Sequence, residues 1–311
     1  MAKKIKLLPW LLFGATLLVF SVLVQGFFSF GNLMLVLEMS TSIAIPAIGL
    51  AIIMLSGSFD LSFVGVIGVV SVLSIKMLEY GIPLSVILLV GLLLSVLMEL
   101  VNAYLIIGLG IHAWLTTIGT MLMYVGLEKA LSKGHALGLY HAFFGSLQSS
   151  RVLGIPALAL VLVAVAVLST VAMHRTPLGL RLYGVGGNAA AVQKAGIQAD
   201  LYRYLSFGIM GLFCWVSSIV YLSILTGYTV EAAYVNQLEI ILAVFFGMAV
   251  STKNIKNVSG TVFGAIFVSF LGNGLGLTGL SSYWIKMIVG ALIIVVVVGN
   301  SIGREEIVQL H

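Results

Sequence analysis

The segment HRTPLGLRLYGVGGNAAAVQKAGIQADLYRY, residues 174–204, is the longest polar interruption in a chain made largely of apolar runs. It carries four of the 15 basic residues of the protein. Pro177 and Gly179 begin the segment, the glycines of 184–188 indicate a turn, and residues 189–195 have the composition of a short helix. A basic loop between membrane spans is expected to face the cytoplasm, so this segment predicts a docking surface for a soluble partner.

The composition decides the environment of the chain. Hydrophobic residues make up 61 % of the 311 residues, charged residues only 8 %, and the mean hydropathy is +1.20. A soluble domain of this length carries about 25 % charged residues. The polar residues that remain are too few to cover a water-facing surface, so the sequence predicts a polytopic membrane protein.

The apolar runs predict helical spans. A membrane-crossing helix needs roughly 20 apolar residues, and ten runs come near that length without the alternation of a membrane β-strand. The ten runs are residues 8–25, 34–56, 61–78, 84–107, 114–132, 155–173, 205–226, 236–250, 260–277 and 283–300. The eighth run begins with Asn236, Gln237 and Glu239, and its cleanly apolar part, 240–250, is short enough for a half-helix.

The distribution of basic residues predicts the orientation of the chain. With ten crossings and a cytoplasmic N-terminus, the cytoplasmic side holds Lys3, Lys4, Lys6, Arg175, Arg181, Lys194, Arg203, Lys253, Lys256 and Arg304. The outer side holds Lys76, Lys129, Lys133, Arg151 and Lys286. This excess has the sign of the positive-inside rule. No small-residue cleavage site follows the first run, so we expect an uncleaved first span.

Two runs contain helix-modifying residues. Pro46 lies in the middle of the second run, where it removes a backbone hydrogen bond and predicts a broken or kinked helix. A helix along a translocation path and an ordinary kink buried among neighbours both fit this residue. Gly260, Gly264, Gly272 and Gly276 share one register along the ninth run and predict close helix packing.

A few ionisable residues fall within the runs or at their ends, namely Glu38, Asp60, Glu99, Glu128, Glu239 and Lys286. A charge in lipid is costly, so each should face the protein interior, a partner or an interface. Asp60 precedes the third run, where we expect it to cap the helix N-terminus. Glu99 lies one turn before Asn102 on the same helix face and predicts a buried polar contact. Too few of these groups align for a proton relay.

The sequence lacks the motifs of catalysis. No GxxxxGK[ST], GxSxG or HExxH occurs, the five histidines do not pair at i, i+4, and Cys214 is the single cysteine. Gly184-x-Gly186-x-x-Ala189 fits the loose dinucleotide pattern but lies between apolar runs and not after a buried strand. We therefore expect no catalytic residue, no metal and no cofactor in this chain. The net charge of +5 reflects the cytoplasmic loops and predicts no nucleic-acid partner.

Several motifs, in order along the chain, together resemble the permease subunits of ABC importers for ribose, other simple sugars and autoinducer 2, within the branched-chain amino acid/sugar permease superfamily. Residues 56–62, SGSFDLS, are similar to the glycine-rich aspartate-leucine-serine turn of that family. Residues 99–106 resemble its asparagine-containing fourth span, and residues 112–121 its threonine-rich entry to the next span. Residues 179–197 resemble its long cytoplasmic loop, and residues 273–283 its last outer loop. The likeness runs from about residue 32 to 298.

The resemblance implies a mechanism. The chain would be one transmembrane permease domain, residues 1–311, in the bacterial cytoplasmic (inner) membrane with a cytoplasmic N-terminus. Two permease subunits, identical or paralogous, would form the pathway. Two ATPase subunits would bind the ATP and Mg²⁺, and an extracytoplasmic solute-binding protein would deliver the solute. The outer loop, residues 132–155, would either meet that binding protein or be a plain solvated loop.

The resemblance also assigns residues. A short helix in 187–197 would fit a groove on the ATPase and transmit its closure to the spans. The residues assigned to ATPase coupling are Gly179, Tyr183, Gly186, Gly187, Asn188, Lys194, Gly196 and Ile197. The residues assigned to the translocation pathway are Pro46, Asp60, Ser62, Glu99, Asn102, Thr116, Thr117 and Asn273.

Three departures from the family pattern leave the solute and the second permease subunit open. Residues 62–65 carry one more residue before the glycine, Glu99 stands where the family tends to have glycine, and residues 248–257 replace the usual glycine-rich turn. An ion-coupled secondary transporter, an ABC permease for a nucleoside or an amino acid, and a non-transporting scaffold are the alternatives.

Overall fold

A computed structural model describes residues 8–251 and 256–308 of the chain. Lys3, Lys4, Lys6 and Lys253, which contribute to the predicted charge asymmetry, lie outside the described residues. The helices are α1 Leu8–Leu23, α2 Phe30–Leu55, α3 Phe63–Glu79, α4 Leu84–Ala103 with a π-helical turn Tyr104–Gly108, α5 Ala113–Ser132, α6 Ala142–Ser149, α7 Ala157–Arg175, α8 Pro177–Lys194, α9 Ala199–Ile224, α10 Ala232–Val235, α11 Gln237–Val250, α12 Val258–Leu277 and α13 Ser282–Val308. The strands are β1 Leu137–Gly138, β2 Arg151–Val152, β3 Ile155–Pro156 and β4 Gly227–Tyr228.

The helical character of the apolar runs is confirmed, because each of the ten runs lies on a helix. Among the described residues, six helices are long and apolar enough to cross a bilayer: α2, α4 with its π-helical turn, α7, α9, α12 and α13 as far as Gly299. The segments Pro9–Leu23 and Gln237–Val250 are apolar but shorter. The protein is therefore a multi-pass, all-α membrane protein, and ten crossings stay a prediction.

Helix α11 is too short to cross a membrane by itself. Its 14 residues span about 21 Å, which is less than the roughly 30 Å of a bilayer core. The polar residues at the start of the eighth run also indicate that its apolar part is short for a membrane crossing. Gln237, at the first turn of α11, donates from Nε2 to the Leu61 carbonyl at 3.1 Å, just before α3 begins. Helix α11 therefore begins against another segment of the protein.

Helix α2 is the centre of the packing. It is buried on all sides from Ile43 to Leu55 and contacts α7, α9, α11 and α12. A helix that is apolar all round is stable only when surrounded in this way. Pro46 is buried within the helix, which runs unbroken from Phe30 to Leu55. The predicted break at Pro46 is therefore wrong, and a kink there stays a prediction.

Two of the four glycines that share one register along α12 lie in close contact with α11. A Cβ at Gly264 would lie 2.1 Å from the Ala243 carbonyl oxygen of α11, and a Cβ at Gly260 would lie 2.4 Å from the Gly247 carbonyl oxygen. Gly272 has no neighbouring atom within 4 Å of the corresponding position, and neither has Gly276. The close-packing prediction is confirmed for Gly260 and Gly264, whereas no described helix of this chain approaches Gly272 or Gly276 closely.

The loop between α5 and α7 is folded. Its strand β1 pairs antiparallel with β4, which follows α9, and β2 pairs with β3. The Lys129 ammonium lies 2.8 Å from the Glu231 carboxylate, and Glu128 accepts a hydrogen bond from the Glu231 amide at 2.6 Å. The loop therefore has a fixed shape and is tied to the end of α9.

We expect Gly264→Ala to destabilise the protein by about 1–3 kcal/mol, because the added methyl group would overlap the backbone of α11. Gly272→Ala, on the same helix, should leave stability unchanged or raise it slightly, since the site is open and glycine is entropically costly in a helix. Thermal unfolding of the two purified variants measures the difference. Equal melting temperatures would contradict the packing described for α11 and α12.

Candidate functional site

The chain reverses direction sharply where α7 leads into α8. Thr176 separates the two helices, and Pro177 occupies the first position of α8, where its missing N–H costs nothing. A Cβ at Gly179 would lie 1.9 Å from the Met173 carbonyl oxygen. Only glycine fits this position, because α8 folds directly back onto the last turns of α7.

Helix α8 consists of two helices joined at Asn188. The backbone leaves helical values there, with φ −155° and ψ 90°, and the Asn188 Oδ1 atom accepts a hydrogen bond from the Ala191 amide at 3.0 Å. Asn188 is thus the N-cap of a second short helix. The predicted helix over 189–195 is confirmed. The predicted turn over 184–188 is wrong except at Asn188, because residues 184–187 continue the first helix.

The second helix of α8 ends at a glycine in the left-handed conformation. Gly196 has φ +81°, its amide donates to the Gln193 carbonyl at 2.9 Å, and the Ile197 amide donates to the Val192 carbonyl at 3.2 Å. These two bonds form a Schellman motif, which satisfies carbonyl groups at the helix end. We call the helix fixed between Asn188 and Gly196, residues 189–194, the capped helix.

The first helix of α8 lies against the end of α2. A Cβ at Gly186 would be 1.9 Å from the Leu55 carbonyl oxygen and 3.0 Å from the Gly57 amide nitrogen, whereas Gly187 has no atom within 4 Å. The hydroxyl groups of Ser56 and Ser206 are 3.0 Å apart, so α9 joins the same contact. A displacement of α8 must therefore also move the end of α2.

Two polar contacts hold α8 on its other sides. The Tyr183 hydroxyl donates to the Lys256 carbonyl at 3.0 Å, and burial raises the pKa of the Tyr183 phenol, so the donor stays protonated at neutral pH. Arg181 contacts Tyr202 of α9 through the hydroxyl group and the ring face, with Cζ 5.5 Å from the ring centroid. The first contact joins α8 to the segment that precedes α12, and the second joins it to α9.

The eight residues assigned to ATPase coupling divide by position into three sets. Those that hold α8 in place are Gly179, Tyr183 and Gly186. Those that shape the capped helix are Asn188, Gly196 and Ile197. The remaining two, Gly187 and Lys194, lie on the exposed surface. The capped helix is therefore anchored on one side and accessible on the other.

The residues assigned to the translocation pathway are all buried in the single chain: Pro46, Asp60, Ser62, Glu99, Asn102, Thr116, Thr117 and Asn273. Asn273 exchanges amide hydrogen bonds of 3.1 Å with Asn32, which joins α12 to the start of α2. Thr117 donates to the Ala113 carbonyl of its own helix. A role in lining the pathway stays a prediction for all eight.

Four of these residues form one polar cluster, which we call the buried cluster: Asp60, Ser62, Glu99 and Asn102. Asp60 Oδ1 accepts from the Ser62 amide at 2.8 Å and the Ser62 hydroxyl at 2.7 Å, just before α3 begins. Ser62 occupies the N-cap position of α3, so the capping role expected of Asp60 stays a prediction. Asn102 Nδ2 donates to Ser62 Oγ at 2.7 Å and lies 3.5 Å from Glu99 Oε2, as their spacing predicts.

Some contacts carried no signal in the sequence. Gly57 and Ser56 belong to a motif singled out for its resemblance, but nothing in the sequence indicates that they meet α8 and Ser206. The contacts of Tyr183 with Lys256 and of Gln237 with Leu61 join segments far apart in the chain. In the described part of the chain, no three His, Cys, Asp or Glu side chains are grouped as metal ligands would be.

Gly186→Ala should destabilise the protein by about 1–3 kcal/mol, because its methyl group would overlap the Leu55 carbonyl. Gly187→Ala is the matched control, since the neighbouring position is open. Unfolding of both variants, followed by intrinsic fluorescence, compares them directly. A Gly186→Ala protein as stable as Gly187→Ala would contradict the contact between α8 and α2.

Asn188→Ala should cost about 1 kcal/mol of helix stability through the lost N-cap, whereas Asn188→Ser should restore most of it. The local effect is read from amide hydrogen exchange at 189–194, which should quicken in the alanine variant alone. Unchanged exchange in that variant would mean that the cap does not hold the capped helix.

The comparisons with known proteins agree with this architecture. Residues 32–297 match the family model described as branched-chain amino acid transport system / permease component. The chain is 27 % identical to the ribose import permease protein RbsC of Haemophilus influenzae, over 92 % of this chain and 90 % of the relative. It is 28 % identical to the autoinducer 2 import system permease protein LsrD of Salmonella typhimurium, over 97 % and 95 % of the two chains.

A third relative is the probable ABC transporter permease protein YphD of Escherichia coli, which is 29 % identical over 91 % of this chain and 85 % of the relative. No solved structure gives a significant match. The family match covers most of the chain, including α8, the buried cluster and nearly the full length of the helices long enough to cross a membrane. The chain therefore belongs to the family described as branched-chain amino acid transport system / permease component, and its curated relatives include import permeases for ribose and for autoinducer 2.

Proposed function

We propose that this protein is the permease subunit of an ABC importer and forms the membrane pathway for a monosaccharide or a related small polar solute. The observation that carries the proposal is the family match over residues 32–297, joined to relatives named as import permeases for ribose and for autoinducer 2. The chain has no catalytic residue of its own in this proposal. ATP and Mg²⁺ are bound by a separate ATPase.

The capped helix is the proposed docking element for that ATPase. Asn188 and Gly196 fix its two ends, and Ala190, Gln193 and Lys194 are exposed on its surface. A short rigid helix transmits a push better than a mobile loop, because little of the displacement is lost in bending. Through Gly186, such a push reaches the end of α2, the central helix.

The remaining partners follow from this arrangement. A second permease subunit, identical or paralogous, completes the pathway in the bacterial inner membrane. An extracytoplasmic solute-binding protein delivers the solute to the outer face, where the loop between α5 and α7 is the proposed contact because it is folded and exposed. Tyr140 and Leu153 are the two most exposed large hydrophobic side chains of that loop.

The orientation is tested by thiol labelling in intact cells. Cys214 is fully buried, so the natural thiol gives little background. We expect an impermeant maleimide to label Tyr140→Cys in intact cells, but Gln193→Cys only after the cells are permeabilised. The two variants control each other, since both side chains are exposed. Labelling of Gln193→Cys in intact cells would place the capped helix outside and overturn the proposal.

The coupling is tested in liposomes that contain the complete transporter with its ATPase. Asn188→Ala should lower solute uptake per ATP hydrolysed several-fold, because the docking helix loses its N-cap. Asn188→Ser, which keeps the cap, should behave like the wild type. Uptake and hydrolysis are measured together, so a loss of assembly is distinguished from uncoupling. An unchanged ratio in Asn188→Ala would contradict the docking role.

A further inference from the structure

Glu99 of the buried cluster and its neighbour Cys214 lie well inside their helices, whereas Asp60 and Ser62 lie in the turn between α2 and α3. Glu99 lies about 22 Å along its helix from Leu84 and about 14 Å from Gly108, at a rise of 1.5 Å per residue. Cys214, whose thiol contacts Glu99 Oε1 at 3.8 Å, lies about 15 Å from Ile224, the nearer end of α9. Asp60, Glu99 and Asn102 have no exposed surface in the single chain. The cluster is therefore remote from water.

The hydrogen bonds of the cluster are incomplete. Asp60 and Glu99 are linked through Ser62 and Asn102: the Ser62 hydroxyl donates to Asp60 Oδ1, and Asn102 Nδ2 donates to Ser62 Oγ and lies 3.5 Å from Glu99 Oε2. Asp60 Oδ2 and Asn102 Oδ1, both completely buried, have no donor. Two carboxyl groups can form a hydrogen bond with each other only when one of them carries a proton.

The other buried carboxylates of the described residues have a cation or an amide donor. Glu239 pairs with Lys286, and Glu128 accepts from the Glu231 amide; the half-buried Glu38 likewise lies 3.7 Å from Arg151. Among the described residues, no Lys, Arg or His pairs with Asp60 or Glu99. Two adjacent negative charges without a counter-charge are too costly to keep in a low-dielectric interior.

The other titratable groups that face the pair supply no positive charge. Tyr124 of α5 uses its hydroxyl to donate to the Met98 carbonyl, and Cys214 of α9 presents a thiol. A phenol and a thiol are neutral or negative in every protonation state. The missing positive charge must therefore come from solution.

We infer that the buried cluster binds one proton, shared between the Asp60 and Glu99 carboxyl groups. Water supplies the proton in a simple acid–base equilibrium, so no bond other than O–H forms or breaks. The proton provides the donor that Asp60 Oδ2 lacks and reduces the charge of the pair from two to one. The shared proton thereby links α4 to the segment 56–62, whose Gly57 lies against Gly186 of α8.

This inference is independent of the proposed transport function, because its test uses the purified full chain in lipid nanodiscs without an ATPase. The folded chain holds a proton that the unfolded chain releases as the pH rises, so its stability falls with increasing pH. We expect the wild-type melting temperature to fall by about 2–4 °C for each pH unit above neutrality.

Glu99→Gln should flatten this dependence, since the amide keeps the shape and donates to Asp60 without a proton from solution. Asp60→Asn is the second variant and should have the same effect. Glu79→Gln is the control, because Glu79 is half exposed and pairs with Lys76 at the surface. Slopes as steep in Glu99→Gln and Asp60→Asn as in the control would overturn the inference.

Two further measurements distinguish a bound proton from a bound metal cation. Replacing choline with sodium at constant pH should leave the wild-type melting temperature unchanged, and a sodium-dependent rise that Glu99→Gln abolishes would replace the proton by a metal cation. The infrared carbonyl band of a protonated carboxylic acid should be present in the wild-type chain at neutral pH and weaker in Glu99→Gln. Absence of any such band in the wild type would overturn the inference even if both variants failed to fold.

Discussion

Residues 56–62 leave the helical conformation, and the last three of them, Asp60, Leu61 and Ser62, are buried. In a bilayer, irregular backbone persists only where protein or a water-filled path covers it. Asp60 accepts hydrogen bonds from the amide and the hydroxyl of Ser62, Gln237 donates to the Leu61 carbonyl, and Asn102 donates to the Ser62 hydroxyl. Side chains from α11 and α4 therefore meet at this short segment.

Some helices of the protein contact one another backbone to backbone, at glycine residues. Gly186 brings α8 against the Leu55 carbonyl, and Gly264 brings α12 against Ala243. Contacts between backbones have no flexible side chain that could absorb a shift. Apolar side chains on the exterior face lipid or partners and can shift, whereas the helix contacts at the centre are rigid. Rigid contacts fit the proposed function, in which an ATPase moves the membrane subunit.

The sequence predicted the local features of the fold and missed the tertiary ones. Apolar run length located the ten helical segments, and composition located the short helix over 189–195, because both depend on neighbours within a few residues. A broken or kinked helix at Pro46 was expected from the same local reasoning, and α2 has no break there. The link between Asp60 and Glu99 through Ser62 and Asn102 had no sequence signal, since it joins residues on separate elements. The spacing of the α12 glycines could not show where α11 ends.

Helix α9 connects the two faces of the protein. Its 26 residues, about 39 Å, begin three residues after Gly196 and end three residues before Gly227, the strand residue that pairs with Gly138. In the proposed orientation, a ligand at the outer strand pair and an ATPase at the capped helix act on opposite ends of one rod. Thermodynamic linkage makes that relation reciprocal. If the outer ligand changes the affinity of the protein for the inner partner by some factor, the inner partner changes the affinity for the outer ligand by the same factor.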